Sequence, residues 1–153
     1  MSYWDWAVRV HGRDGVDHAL TDLQDRHGQC VAYLLWAAWA VAEGRALEPV
    51  VLAQGAALAA HWEDAATGPL RTARRELKVS APPVADAARL ALREQVRSAE
   101  FAAERLLMET LEALAPGPSG APSAPGPAMI AACRAWRKPA PDAELLALGD
   151  LLS

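Results

Sequence analysis

One uncharged run, Cys30 to Ala42 (CVAYLLWAAWAVA), does most to limit what this chain can become. Gly28 and Gly44 stand just outside it; Asp25 and Arg26 precede it, and Glu43 and Arg45 follow. A bilayer span needs about 20 apolar residues, so the run is too short to cross one. It has no polar face of its own, which a helix lying in a membrane surface requires. What remains is a helix buried on most sides, with the other elements assembled around it in water.

The 153 residues amount to one ordinary domain, long enough to bury a core without disulfide or metal support. Hydrophobic residues make up 52% of the chain, which argues against disorder. Much of that is alanine, so periodicity is read here from leucine, valine and tryptophan. A net charge of −4 points away from a nucleic-acid partner. Near the start, Trp4-Asp5-Trp6 and Arg9 interrupt any apolar signal region. Cys30 and Cys133 lie far apart and form no CxxC pair, so reduced thiols and a cytoplasmic location are expected.

The rest of the chain reads as helices. Ser2 is a natural N-cap, with Asp5 in the first turn of a helix over 3–11. GRDG (Gly12 to Gly15) breaks it, and a second helix follows over 16–27 with Val16, Ala19, Leu20 and Leu23 on one stripe. Gly28 suits the left-handed position that ends it. The apolar run makes a third helix, and a fourth begins near Pro49 and reaches Trp62. At Thr67-Gly68-Pro69 the chain either kinks or restarts with Thr67 as cap, because proline removes a helical hydrogen bond. A fifth helix runs to about Lys78, and SAPP (Ser80 to Pro83) ends it.

The sixth helix, 83–115, is the longest. Leu92, Val96, Ala99, Ala103, Leu106, Thr110 and Ala113 recur in steps of four and three, a heptad-like seam. That seam packs on the chain's own helices or on a second copy, giving a homodimer. PGPSGAPSAPGP, 116–127, reads as a flexible or extended linker, and 128–153 as a short helical tail that docks on the bundle or binds a partner. The expected organisation is therefore all-α: a single multi-helix bundle over 1–115 around a buried Trp-rich helix, a linker over 116–127, and a tail over 128–153.

The clearest polar feature is RTARRELK. Arg71, Arg74, Arg75 and Lys78 share one helical face, while Leu70, Ala73 and Leu77 form the other. Guanidinium groups in such a row suit carboxylates and phosphates. The row is thus either a binding face for an acidic protein partner or anionic group, or a solvated face paired with acids of neighbouring helices. A different class of function would place a small-molecule site between the second, third and fifth helices, using Gln24, Asp25, Arg74 and His61. His18, Asp22, Asp25 and Gln29 also share a stripe, but no Glu-x-x-His on a second helix completes a metal site. Glu100 and Glu104 are i, i+4 acids without a histidine nearby. Cys30 gains from a helix N-terminus what burial takes away, so it is not assigned as a nucleophile. No phosphate loop, dinucleotide fingerprint or Ser-His-Asp pattern occurs, and no catalytic residue, metal or cofactor is assigned. Trp4 and Trp6, two residues apart, cannot both face the core.

Three pieces of sequence together resemble a known family: W-x-W-A near the start, L-Q-D-x-x-G before an apolar L-L-W, and P-L-R-x-x-R-R-x-L-K. The resemblance covers about Tyr3 to Leu114 and is to small, mainly proteobacterial proteins that form a domain of unknown function. It implies an all-helical bacterial cytoplasmic protein and supplies no catalytic residues. It marks Gln24, Asp25, Trp36, Trp62, Arg71, Arg74 and Arg75 as pattern positions.

Overall fold

The computed structural model describes residues 1–153 and is all-α. In chain order the helices are α1 (Tyr3–His11), α2 (Val16–Asp25), α3 (Val31–Ala42), α4 (Pro49–Trp62), α5 (Gly68–Glu76), α6 (Asp86–Leu114), α7 (Pro125–Ala135) and α8 (Asp142–Leu152). A single π-helical turn, Glu63–Thr67, joins α4 to α5. No helix is long and apolar enough to cross a membrane.

The uncharged run is the centre of the molecule. Every residue from Tyr33 to Ala40 is buried, and α1, α2, α4, α6 and α7 all pack against α3. Two of its three aromatic groups find polar partners without leaving the core, as buried phenols and indoles usually must, while the Trp36 indole N–H has none. Tyr33 donates its hydroxyl to the Leu52 carbonyl at 2.9 Å, and the Trp39 indole N–H donates to the Met1 carbonyl at 3.2 Å. Tyr3 lies over Trp39 with ring centroids 5.5 Å apart. Ser2 caps α1 by accepting from the Asp5 N–H at 3.1 Å, as its position suggests. Trp6 turns into the core, and Trp4 stays at the edge against Phe101.

Gly28 and Gly44 end α2 and α3 in the left-handed region, with φ of 62° and 68°. At Gly28 the following N–H, of Gln29, reaches back to the Leu23 carbonyl at 3.0 Å, closing the last turn. Gly44 has a second role. A Cβ there would stand 2.3 Å from the Gly120 carbonyl oxygen, because the Pro/Gly stretch crosses it. Ser119 and Gly120 donate their N–H groups to the Gly44 carbonyl, and Ser123 donates to Val41. That stretch is therefore tied to the end of α3, and α7 already begins at Pro125, inside the segment expected as linker.

The tail docks. Met129, Ala132, Cys133 and Trp136 of the α7 region and Leu145, Leu148 and Leu152 of α8 join the same buried cluster as α3. Trp136 stacks on Tyr33 with centroids 5.7 Å apart and donates its indole N–H to the Gly28 carbonyl at 3.0 Å.

The seam expected on α6 does not pack on the chain's own helices. Leu92, Ala99, Leu106, Thr110 and Ala113 are exposed, and of that row only Ala103 is buried. The inward row is Glu100, Ala103, Leu107, Met108 and Leu111. Alanine and leucine are scattered around α6, so more than one row looks apolar on paper. The row that wins is the one whose glutamate meets the arginines of α5. Between Asp86 and Ala99 only Arg89 is buried. It donates to the Leu77 carbonyl and to Asp86, placing a cation at the C-terminus of α5 where the helix dipole favours one.

Candidate functional site

The site begins with a proline. Pro69 has no N–H for the Ala65 carbonyl, so the α-helical ladder cannot run through it. The chain widens by one residue instead: the Gly68 N–H bonds to the Glu63 carbonyl, five residues back. Gly68 permits this, since a Cβ there would lie 2.6 Å from that oxygen. Thr67 does not cap a new helix. Its hydroxyl donates to Glu63 Oε2 at 2.8 Å. Single π turns of this kind occur often at functional sites.

The turn rotates α5 so that Arg71 and Arg74 point inward. Arg71 Nη1 lies 2.6 Å from Glu63 Oε1, its Nε 3.5 Å from Glu100 Oε1, and its Nη2 3.7 Å from Glu104 Oε1. Arg74 clamps Glu100 with two N–H groups, Nη2 reaching Oε1 at 3.3 Å. Arg75 pairs with Asp25 at 2.7 Å on the surface, and Lys78 is exposed. Of the two readings of the basic row, pairing with acids of neighbouring elements is the one found for Arg71, Arg74 and Arg75, and Lys78 is left at the surface. Leu70 and Ala73, expected to pack inward, are half-buried and exposed. The physical reason is Glu100, only 6% exposed: a carboxylate that deep needs cations and hydrogen bonds to offset its lost hydration.

Glu63, Arg71 and Glu104 form one wall of a cleft of about 430 Å³. Its other walls are largely apolar: Tyr3, Trp4, Ala7 and Val8 of α1, Leu20 of α2, Val31, Ala32 and Leu35 of α3, and Phe101, Leu107 and Met108 of α6. That volume and lining suit a small organic molecule. A second, polar chamber of about 360 Å³ shares Gln24, Glu63 and Arg71 with the first, so the two meet at those three side chains. Trp136, Arg137 and Lys138 from the docked tail complete it. Arg137 holds Asp64 with two N–H groups at 3.1 and 3.2 Å.

Burial pushes the Glu104 carboxyl above the ordinary glutamate range; Arg71 opposes that shift, and Glu100 and Glu63 add to it. Burial also works against the charge of Arg71, but Glu63, Glu104 and Glu100 outweigh it and raise its pKa. Cys30 lines the cleft as a neutral thiol, pushed up to about 12 chiefly by burial, despite the Tyr33 N–H bonded to it. It has no nucleophilic thiolate at neutral pH.

Of the expected polar site, only Gln24 lines the cleft. Asp25 is exposed beside Arg75, and His61 is exposed at the end of α4, lining neither chamber. Arg74 meets Glu100 rather than Asp25. No three His, Cys, Asp or Glu side chains converge as metal ligands. Sequence reasoning missed Glu63, Thr67, Tyr3, Trp4 and Phe101. For the acids of α6 a signal was present: the i, i+4 pair Glu100 and Glu104 matches the spacing of Arg71, Arg74 and Arg75, which singles out that helix among those whose acids could pair with the row.

The sequence model of a family described as "Protein of unknown function (DUF2390)" matches residues 2–111, a span that holds the whole apolar cleft and none of Trp136, Arg137 and Lys138. No curated protein and no solved structure matches the chain. The match takes in well over half of the chain, and the protein belongs to this DUF2390 family of unknown function.

Proposed function

We propose that this protein is a cytoplasmic small-molecule-binding domain whose site is the two-chambered cleft. The observation that carries this reading is the contiguity of an apolar chamber with a partly buried acid–arginine cluster built on a π turn. Ligand sites commonly combine an apolar body with a few converging polar groups. Two buried, unpaired cysteines fit a reducing compartment. The pairing of Arg71, Arg74 and Arg75 with carboxylates is why this reading is preferred to capture of an acidic partner.

The test uses Nile red, a neutral apolar reporter, with the intact chain. Its fluorescence should rise saturably at one dye per protein. Ala32→Phe, which fills the cleft from α3, should remove that signal while leaving the helical circular dichroism intact. No uptake, or uptake indifferent to Ala32→Phe, would refute the site.

A further inference from the structure

Each chamber holds an open acceptor: the Glu104 carboxylate in the apolar chamber, and one buried amide oxygen in the polar chamber. Glu104 has no hydrogen-bond donor: its nearest cation, Arg71, stands at 3.7 Å and is already engaged by Glu63 at 2.6 Å. Gln29 is 3% exposed and lines the polar chamber. Its Nε2 donates to the Lys138 carbonyl at 2.6 Å, and its Oε1 has no donor. Gln29 Oε1 is thus a buried acceptor left unsatisfied, which is costly and marks a place where a donor belongs; Glu104, its side chain 40% exposed, opens onto the apolar chamber with both oxygens free to accept.

Charge points the same way. Glu63, Glu100 and Glu104 make salt bridges with Arg71 and Arg74, and the nearby Arg137 is matched by Asp64, so one negative charge is left in excess at the cleft wall. The remaining acid in the lining is Asp17, close to His11 at 3.7 Å. Arg71 is the only arginine or lysine of the apolar chamber, and it is occupied. In the apolar chamber an anionic head would therefore meet carboxylates and no free cation; Lys138, which has no carboxylate partner, stands in the polar chamber only. Phe101 lines the same space, and aromatic faces attract ammonium groups; the Trp4 ring already carries one cation, the Arg105 guanidinium 5.0 Å from its centroid.

We infer that the ligand is a cationic amine with an apolar body, its ammonium seated against Glu104 and its hydrocarbon part among Trp4, Leu35, Phe101 and Met108. An ammonium there supplies the missing positive charge and hands donors to Glu104, while the apolar chamber dehydrates the chain. This rests on the cleft being a ligand site, and the experiment separates the two ideas.

Octylamine, octan-1-ol and octanoate share one alkyl chain and differ in head-group charge. Titrated into the intact protein by calorimetry near neutral pH, octylamine should bind at least about tenfold more tightly than octanol, one charge-assisted contact's worth. Octanoate should bind weakest. Glu104→Gln should bring octylamine down to the affinity of octanol and leave octanol unchanged. If octanoate equals or exceeds octylamine, or the amine preference survives Glu104→Gln, the cationic assignment is overturned while the cleft stands. If none of the three binds, both the assignment and the ligand site fall.

Discussion

Arg71 Nη1 lies 2.6 Å from Glu63 Oε1, across a π turn that joins two helices into one rod. The same guanidinium also reaches toward Glu100 and Glu104 of α6. One side chain therefore fixes the turn, the α5–α6 packing and the wall of the cleft.

Loss of Arg71 should be severe, and loss of Arg75 should not. The Arg71 side chain is 13% exposed, and its removal strands carboxylates in a poorly hydrated place. Arg71→Ala should cost about 3–5 kcal/mol, the range for breaking a buried pair from one side. Arg75 and Asp25 are half exposed, so Arg75→Ala should cost less than about 1 kcal/mol. Urea midpoints of the two variants at neutral pH check the contrast.

Glu104 should make the protein less stable as pH rises. Its folded pKa is raised, so between its ordinary and folded values the folded state binds more proton than the unfolded state. Stability then falls as pH climbs through that window and stays reduced above it. Glu104→Gln removes this term. Its melting temperature relative to the parent should be higher at pH 7 than at pH 4, with Arg71, Arg74, Glu63 and Glu100 unchanged. Thermal melts of both proteins across that range decide it.

The docked tail should be part of the fold rather than an appendage. Trp136 stacks on Tyr33 and bonds the Gly28 carbonyl, and α7 covers α3. Trp136→Ala should cost about 3–5 kcal/mol, as large aromatic truncations in cores do. A chain cut after residue 115 should expose α3 and aggregate, although the family match ends at 111. Size-exclusion chromatography and circular dichroism of the shortened chain test this.

Gly149→Ala should separate α7 from α8. A Cβ on Gly149 would lie 2.5 Å from the Gly126 backbone nitrogen and 2.6 Å from its Cα, atoms that cannot move aside as a side chain tip can. Overpacking of this kind costs about 1–3 kcal/mol, more than the roughly 1 kcal/mol that alanine's helix propensity returns. A lower urea midpoint checks it; a gain in stability would mean that the two helices can part freely.

The helices and their stops were legible because local chemistry sets them. Gly28, Gly44 and Pro49 mark ends by backbone constraint, and the run before Gly44 has no polar side to show to water. What stayed hidden depends on partners distant in sequence. Leu70 and Ala73 look like the buried face of α5 until Glu100 is placed opposite, whereupon Arg71 and Arg74 take it. The same competition misled the choice of row on α6, where Leu106 lost to Leu107. The π turn follows from Pro69 and Gly68 together, yet a kink or a restart satisfies those residues equally well in one dimension. The cleft exists only where α1, α3 and α6 leave space between them, and no local pattern records a void.

The most direct test is an isotope-filtered NOE measurement on labelled protein with unlabelled octylamine. Contacts from the alkyl protons to Leu35, Phe101 and Met108, with the amine end near the Glu104 methylenes, are the predicted result. Contacts confined to the outer face of α6, at Leu92 and Leu106, or no contacts at saturating amine, would contradict the account.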